Sequence, residues 1–262
     1  MNTSTSFSPS QSPETPMLAI SALEVRYAAL RAVQGISFEV GHGEIVVLLG
    51  SNGAGKSSLL KAVVGLESTA GGSVSLDGMD LKRLSLHKRA RLGIGYLPED
   101  RHKQGLILDW GLWMNVSLPT LGKFRRRLFL DQAEERRVAK DLLERVEVKA
   151  PSVYTKASAL SGGNQQKVIV AKLLNSELKI IILDEPTKGV DVGAKTAIFD
   201  IMTHLAMQGY GIVMVSSEMP EVLGMSDRIV VMREGRVSAT LATKDATQEI
   251  ILAAAMAEVR PA

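Results

Sequence analysis

Two short stretches of this chain hold the residue types that phosphate chemistry needs. The first is Gly50-Ser51-Asn52-Gly53-Ala54-Gly55-Lys56-Ser57. It follows Glu44 to Leu49, an apolar run rich in β-branched residues that reads as a buried parallel strand. It precedes Ser57 to Val64, whose apolar residues recur at helical spacing. Glycines between a strand and a helix let backbone N–H groups curl around phosphate oxygens, and the helix N-terminus adds its dipole. Lys56 is expected to reach the β- and γ-phosphates of a nucleotide, and the Ser57 hydroxyl to hold Mg²⁺. The candidate phosphate-binding residues run from Gly50 to Ser58.

The second stretch is the end of a strand. Lys179 to Leu183 reads as a buried run that stops at Asp184 and Glu185. Both carboxylates then emerge at the C-terminal edge of a parallel sheet, where such folds bind ligands. Asp184 is expected to reach Mg²⁺ through water, and Glu185 to polarise the water that attacks the γ-phosphate. An acidic pair after a strand can also cap the next helix. Beside the upstream phosphate loop, the hydrolytic reading is the stronger one.

Two further motifs, Leu160-Ser161-Gly162-Gly163-Asn164-Gln165-Gln166-Lys167 and Leu183-Asp184-Glu185-Pro186-Thr187, complete a resemblance to the ATP-binding cassette (ABC) ATPases, from roughly Leu18 to Val237. The resemblance implies an α/β phosphate-loop NTPase fold with a RecA-like core, an antiparallel β subdomain and a helical subdomain. It implies ATP and Mg²⁺ as ligands, with Glu185 and Lys56 as the catalytic pair. It also implies that the signature residues Ser161, Gly162 and Gly163, with Gln165, act in trans on the γ-phosphate held by a second cassette. Tyr27 stands where these ATPases stack an aromatic on adenine, although packing in the core would also suit it. Asp191 matches the loop that crosses the dimer interface and is equally a helix N-cap by type.

Two departures from the family pattern narrow it. Glu99, in Tyr96-Leu97-Pro98-Glu99-Asp100-Arg101, replaces the usual glutamine and is a candidate metal ligand. Val215-Ser216-Ser217-Glu218 replaces a stretch that usually carries a histidine on the γ-phosphate, and Glu218 is the expected polar substitute. With Gly189 to Lys195 and Ser216 to Val222, these features resemble the second cassette of bacterial monosaccharide importers of the ribose, xylose and galactose type. Such cassettes usually have a degraded phosphate loop, whereas Lys56 is intact here, and Val33 to Leu66 is more similar to branched-chain amino-acid importer cassettes. The implied partners are integral membrane permease subunits, a second identical or different cassette and, indirectly, an extracytoplasmic solute-binding protein. The implied location is the cytoplasmic face of the inner membrane. An amino-acid importer cassette and a soluble ABC ATPase stay open as alternatives.

The rest of the chain must position these groups. At 262 residues it can bury one substantial core. A net charge of +3 is too slight to argue for nucleic acid. The absence of cysteine excludes disulfides and thiolate metal sites and fits a reducing compartment. No apolar run approaches the roughly 18 residues of a membrane span, so membrane association is expected to come from partners. Residues 1–16, rich in Ser, Thr and Pro, are expected to be a disordered tail. An ATPase domain is expected over 17–242, with a helical subdomain at about 101–160 and a C-terminal amphipathic helix within 243–262. Asp131 to Val146 reads as a helix with Val138, Leu142 and Val146 on its apolar face. Short strands such as Ile36 to Val40 suggest the antiparallel layer. The run Lys123 to Arg127 reads as a solvated surface turn, Trp110 and Trp113 as anchors or core residues, and Met202, Met207, Met214 and Met232 as core positions.

Overall fold

The computed structural model describes residues 15–127 and 129–256. Most of the tail expected over 1–16, and the part of the expected C-terminal helix that falls beyond Met256, lie outside the described residues. The chain begins an antiparallel sheet with β1 (Leu18–Tyr27) and β2 (Leu30–Val40). It then enters a second sheet through β3 (Ile45–Gly50) and turns into α1 (Lys56–Val64). Strands β4 (Gly71–Leu76) and β5 (Met79–Asp80) complete the first sheet, in the order β2-β1-β4-β5. Helix α2 (Leu86–Arg91) leads to β6 (Ile94–Leu97) and a π-helical turn over Arg101–Gly105.

A helical region follows: α3 (Leu112–Ser117), a small hairpin of β7 (Arg125–Arg126) and β8 (Phe129–Leu130), α4 (Gln132–Arg145) and α5 (Gly162–Leu174). The chain then alternates through β9 (Ile180–Asp184), α6 (Val192–Met207), β10 (Gly211–Val215) and α7 (Met219–Met225). It closes with β11 (Arg228–Arg233), β12 (Arg236–Ala242) and α8 (Gln248–Met256). The core sheet has the order β12-β11-β3-β10-β9-β6, and every pairing is parallel except β11 with β12.

The core strands are apolar throughout because both faces are covered. Val46 and Leu48 of β3, Ile180 and Ile182 of β9, and Val213 and Val215 of β10 pack toward the antiparallel sheet. Their neighbours Val47, Leu49, Ile181, Leu183, Ile212 and Met214 pack toward the helical side. That is the two-residue alternation of a strand used on both sides, each such side chain contributing about 1.5–3 kcal/mol by burial. At the far end of α1, Arg89 Nη1 donates to the Ala62 and Val63 carbonyls at 2.9 and 2.7 Å. These are carbonyls that a helix end leaves without an intrahelical partner, so α2 caps the helix that carries Lys56.

Three expectations need correction. Strand β2 begins at Leu30, not near Ile36, because Leu30 and Arg31 pair with Tyr27 and Arg26 across a tight turn. The buried stripe within α4 is Glu135, Ala139 and Leu143, one step round from the expected face: Val138 and Leu142 are only half-buried, and of the expected three Val146, at the C-cap, is buried. Glu135 can turn inward because the Ser117 hydroxyl donates to its carboxylate. Met202, Met214 and Met232 are buried, but Met207, at the last turn of α6, is 82% exposed.

The basic run lies on the surface except for Phe124, with Lys123 paired to Glu177 and Arg126 to Asp131. Trp113 is half-buried under the Arg136 guanidinium, 5.6 Å from the ring centroid, whereas Trp110 is exposed. No helix among the described residues is long and apolar enough to cross a membrane.

Candidate nucleotide site

Strand order builds the site. The loop after β3, the carboxylates after β9 and the Ser216-Ser217 pair after β10 all leave the same edge of the parallel sheet, the edge where α/β folds hold ligands. They line one side of a cleft of 830 Å³ whose other side carries Tyr27, Leu30, Arg31 and Gln34 from the antiparallel sheet.

The phosphate loop is shaped by close backbone approach. Gly55 has φ of 96°, and a Cβ there would lie 2.2 Å from the Ala32 carbonyl oxygen, so only glycine fits. Gly55 hands the chain to α1, which starts at Lys56. Asn52, Gly53, Ala54, Ser57 and Ser58 line the cleft with them, while Gly50 and Ser51 face Lys56 through their carbonyls. Lys56 Nζ, nearly buried, donates to Gly50 O at 2.7 Å and Ser51 O at 3.1 Å. Burial pulls its pKa down, against the opposing pull of Glu185, Asp184 and Glu99.

Asp184 is 1% exposed. Ser57 Oγ donates to its Oδ1 at 3.2 Å and the Tyr96 hydroxyl to its Oδ2 at 3.4 Å. Desolvation raises the Asp184 pKa against those two hydrogen bonds, and raises that of Tyr96 well above the usual phenol range. A serine hydroxyl beside one buried carboxylate suits Mg²⁺, which is commonly held by one or two protein oxygens together with phosphate oxygens and water. Glu99 lines the same cleft, but Lys188 Nζ occupies its carboxylate at 2.6 Å.

Glu185 sits half-buried beside them with φ of 51°, an uncommon backbone for a residue with a Cβ. Its Oε2 accepts from Ser217 Oγ at 3.1 Å and Ser217 N at 3.3 Å. Burial raises its pKa, and the Ser217 hydrogen bonds and the charge of Lys56 hold it down. The expected substitute at this place, Glu218, points elsewhere, to Lys195. Ser217, in the stretch that stands where the family has its histidine, thus makes the contact expected of Glu218; that it would meet Glu185 is what sequence reasoning missed. Its signal was the adjacency of β10 to both β3 and β9, which fold topology supplies and local pattern does not. Tyr96 was legible only as part of a motif, although its parallel pairing opposite Ile182 brings its hydroxyl to Asp184.

The signature residues lie apart from this cleft, none of Ser161, Gly162 and Gly163 lining it. Ser161 has the backbone of an N-cap to α5 but makes no side-chain cap; its Oγ accepts from Asn164 Nδ2 at 3.1 Å. Gly162 packs against Arg101, whose guanidinium donates to Lys188 O at 3.0 Å and Gly189 O at 3.4 Å. Gln165, expected beside them at the trans face, is instead 6% exposed: its Nε2 donates to Ala157 O and its Oε1 meets His102 Nε2, both at 3.0 Å. Four residues from the N-cap, the helix has turned it toward the interior. Asp191 caps α6, accepting from Ala194 N at 3.0 Å, and remains exposed. A second concavity of 740 Å³ lies between α1, α2, β6 and α5, lined by Leu66, Leu86, Pro119, Lys172, Leu173 and Leu178. Lys172 Nζ donates there to Gly105 O at 2.9 Å, and burial lowers its pKa.

Residues 33–188 match the family described as ABC transporter. Over 234 residues the chain is 45% identical to the ribose import ATP-binding protein RbsA of Bacillus licheniformis, covering 88% of this chain and 47% of that one. It is 44% identical over 241 residues to the arabinose import ATP-binding protein AraG of Paraburkholderia xenovorans, covering 89% and 46%. The chain therefore spans about half the length of the curated relatives it matches. A dimeric structure of a bacterial ABC transporter cassette superposes with a TM-score of 0.77 at 25% identity, covering 87% of this chain and 99% of that one. By the span of the match and by these relatives, the chain belongs to the ABC transporter family, as an ATP-binding cassette.

Proposed function

We propose that this cassette is the ATP-hydrolysing motor of a bacterial importer for a monosaccharide. The observation that carries the proposal is the convergence of Lys56, Ser57, Asp184 and a Ser217-braced Glu185 at one sheet edge. Backbone N–H groups of the loop and the Lys56 ammonium bind and orient the phosphates, Lys56 exchanging its contacts with Gly50 O and Ser51 O for phosphate oxygens. Tyr27, at the end of β1 and 38% exposed, offers its ring to the base. Ser57 and Asp184 are the residues that would hold Mg²⁺, which when bound neutralises charge on the β- and γ-phosphates. Glu185, ionised and oriented by Ser217, accepts a proton from the attacking water.

A second cassette supplies Ser161, Gly162 and Gly163 across a dimer interface flanked by Asp191. The exposed, uncapped Ser161 hydroxyl supports this reading. The 740 Å³ groove suits a short helix of a membrane permease, which would hold the protein at the cytoplasmic face of the membrane. The unit doing this work spans 17–242, with the helical subdomain at about 101–160. The similarity to ribose and arabinose import ATP-binding proteins supports the sugar, and a solute-binding protein outside the cell would deliver it.

The test is to purify tagged Glu185→Gln protein from detergent-solubilised cells with ATP and Mg²⁺, and to identify co-purifying chains by mass spectrometry. A polytopic permease encoded with a sugar-binding protein is expected. Ribosomal or DNA-repair partners without a membrane protein would overturn the transport reading.

A further inference from the structure

A cluster of ionisable side chains lies behind the cleft, outside the reaction as derived above. Glu221, in the first turn of α7, is 6% exposed, and three donors converge on its carboxylate. Thr187 Oγ1 lies 2.9 Å from both of its oxygens, Ser216 Oγ donates to Oε2 at 2.6 Å, and Lys195 Nζ donates to Oε1 at 3.2 Å. Lys195 also meets Glu218, whose backbone N–H donates to Ser216 Oγ at 3.1 Å. A buried carboxylate is costly unless it is paired and saturated, and this one is both.

Its partners are not scattered. Thr187 follows Glu185 by two residues, and Ser216 is the residue before Ser217. The two backbone segments whose side chains meet at 3.1 Å in the cleft are therefore fastened from behind to one carboxylate. Lys195 stands in the first turn of α6, the helix that Asp191 caps, so the same carboxylate also grips the loop at the dimer-facing side.

We propose that Glu221 is a positioning residue for ATP hydrolysis: without touching the nucleotide, it sets the Ser217–Glu185 contact through Ser216 and Thr187, with Lys195 as its counter-charge. The proposal rests on the assignment of Glu185 as the base. Replacing the carboxylate by an amide keeps the volume but offers one acceptor oxygen where two hydroxyl donors and an ammonium now converge. Part of the brace must then turn away.

The experiment is single-turnover hydrolysis by the full chain, with ATP affinity and thermal midpoint measured alongside. Glu221→Gln should lower the rate about tenfold or more, the scale of a small misplacement of reacting groups, while ATP affinity stays within about twofold. Glu221→Asp should recover part of the rate, since it keeps the charge. Ser217→Ala should cost little more in the Glu221→Gln background than the Glu221→Gln change alone, because both act through one contact. Independent, multiplying effects of the two changes would overturn the proposal, as would a rate loss that tracks loss of ATP affinity and thermal stability. If Glu221→Gln does not fold, Thr187→Val and Ser216→Ala interrupt the brace one strand at a time, and wild-type rates in both overturn it. An inactive Glu185→Gln beside a fully active Glu221→Gln sinks this proposal alone. Full turnover in Glu185→Gln removes the base assignment, and this proposal with it.

Discussion

The starts of α5 and α6 make an instructive pair. Both helices begin with a residue in extended backbone conformation at the N-cap, and both starts are exposed. Asp191 closes its helix by accepting from Ala194 N, whereas Ser161 leaves the first N–H groups of α5 without a side-chain acceptor. An uncapped helix start keeps its donors and its dipole for an anion from outside. The phosphate loop presents the opposite case, an anion site whose cation is already satisfied by carbonyls within the same chain. At the phosphate loop the cation and its present partners belong to one chain, and at the start of α5 no side chain takes the helix donors.

Variants at these two places should therefore fail in different ways. The largest effect belongs to Glu185→Gln, which should lower hydrolysis on the order of a hundredfold or more with ATP binding intact, the usual worth of a positioned base. Paired measurement of turnover and nucleotide affinity checks this, and an equal loss in both would move Glu185 from chemistry to binding. Lys56→Ala should weaken ATP binding by about ten- to a hundredfold, the scale of charge-assisted hydrogen bonds. Because the loop and its lysine lie in one chain, the loss should appear already in the monomer at low protein concentration.

A smaller effect is expected for Ser217→Ala, and its signature lies in pH. Burial holds the Glu185 pKa above the ordinary glutamate range, so its ionised form is lost at a higher pH than for a free glutamate as the solution is acidified. The Ser217 hydrogen bonds oppose that shift, so deleting the hydroxyl should move the acid limb of the rate profile further up. A limb that moves down would refute the brace. The smallest effects sharpen the comparison of the helix starts. Asp191→Ala should cost about 1 kcal/mol of stability as a lost cap. Ser161→Ala should leave the thermal midpoint nearly unchanged while weakening ATP-dependent dimerisation, read by light scattering.

What the sequence disclosed, and what it hid, follows from the range of the interactions involved. Lys56, Ser57, Asp184 and Glu185 were legible because they stand at fixed spacing from a strand end, and the continuous apolar runs of β3 and β9 located those ends. The antiparallel layer was legible from its strand pattern, but the start of β2 was not, since it depends on a turn at Ala28 with φ of 51°. The contact of Ser217 with Glu185 was hidden because no local pattern states that β10 lies between β3 and β9. Gln165 was misread because a motif is a line of letters and a helix is not; four residues from the N-cap it faces Ala157. Glu135 is buried because Ser117 stands opposite it, a pairing 18 residues apart that no local pattern states.

The backbone of Glu185 has one further consequence. Left-handed φ costs a residue with a Cβ about 1–2 kcal/mol, and glycine almost nothing. At this position the chain thus carries a side chain that its own backbone would trade away. On the proposed role of Glu185 as base, a glycine there would relieve the backbone and remove the proton acceptor in one step, so a gain in stability and a loss of turnover should arrive together.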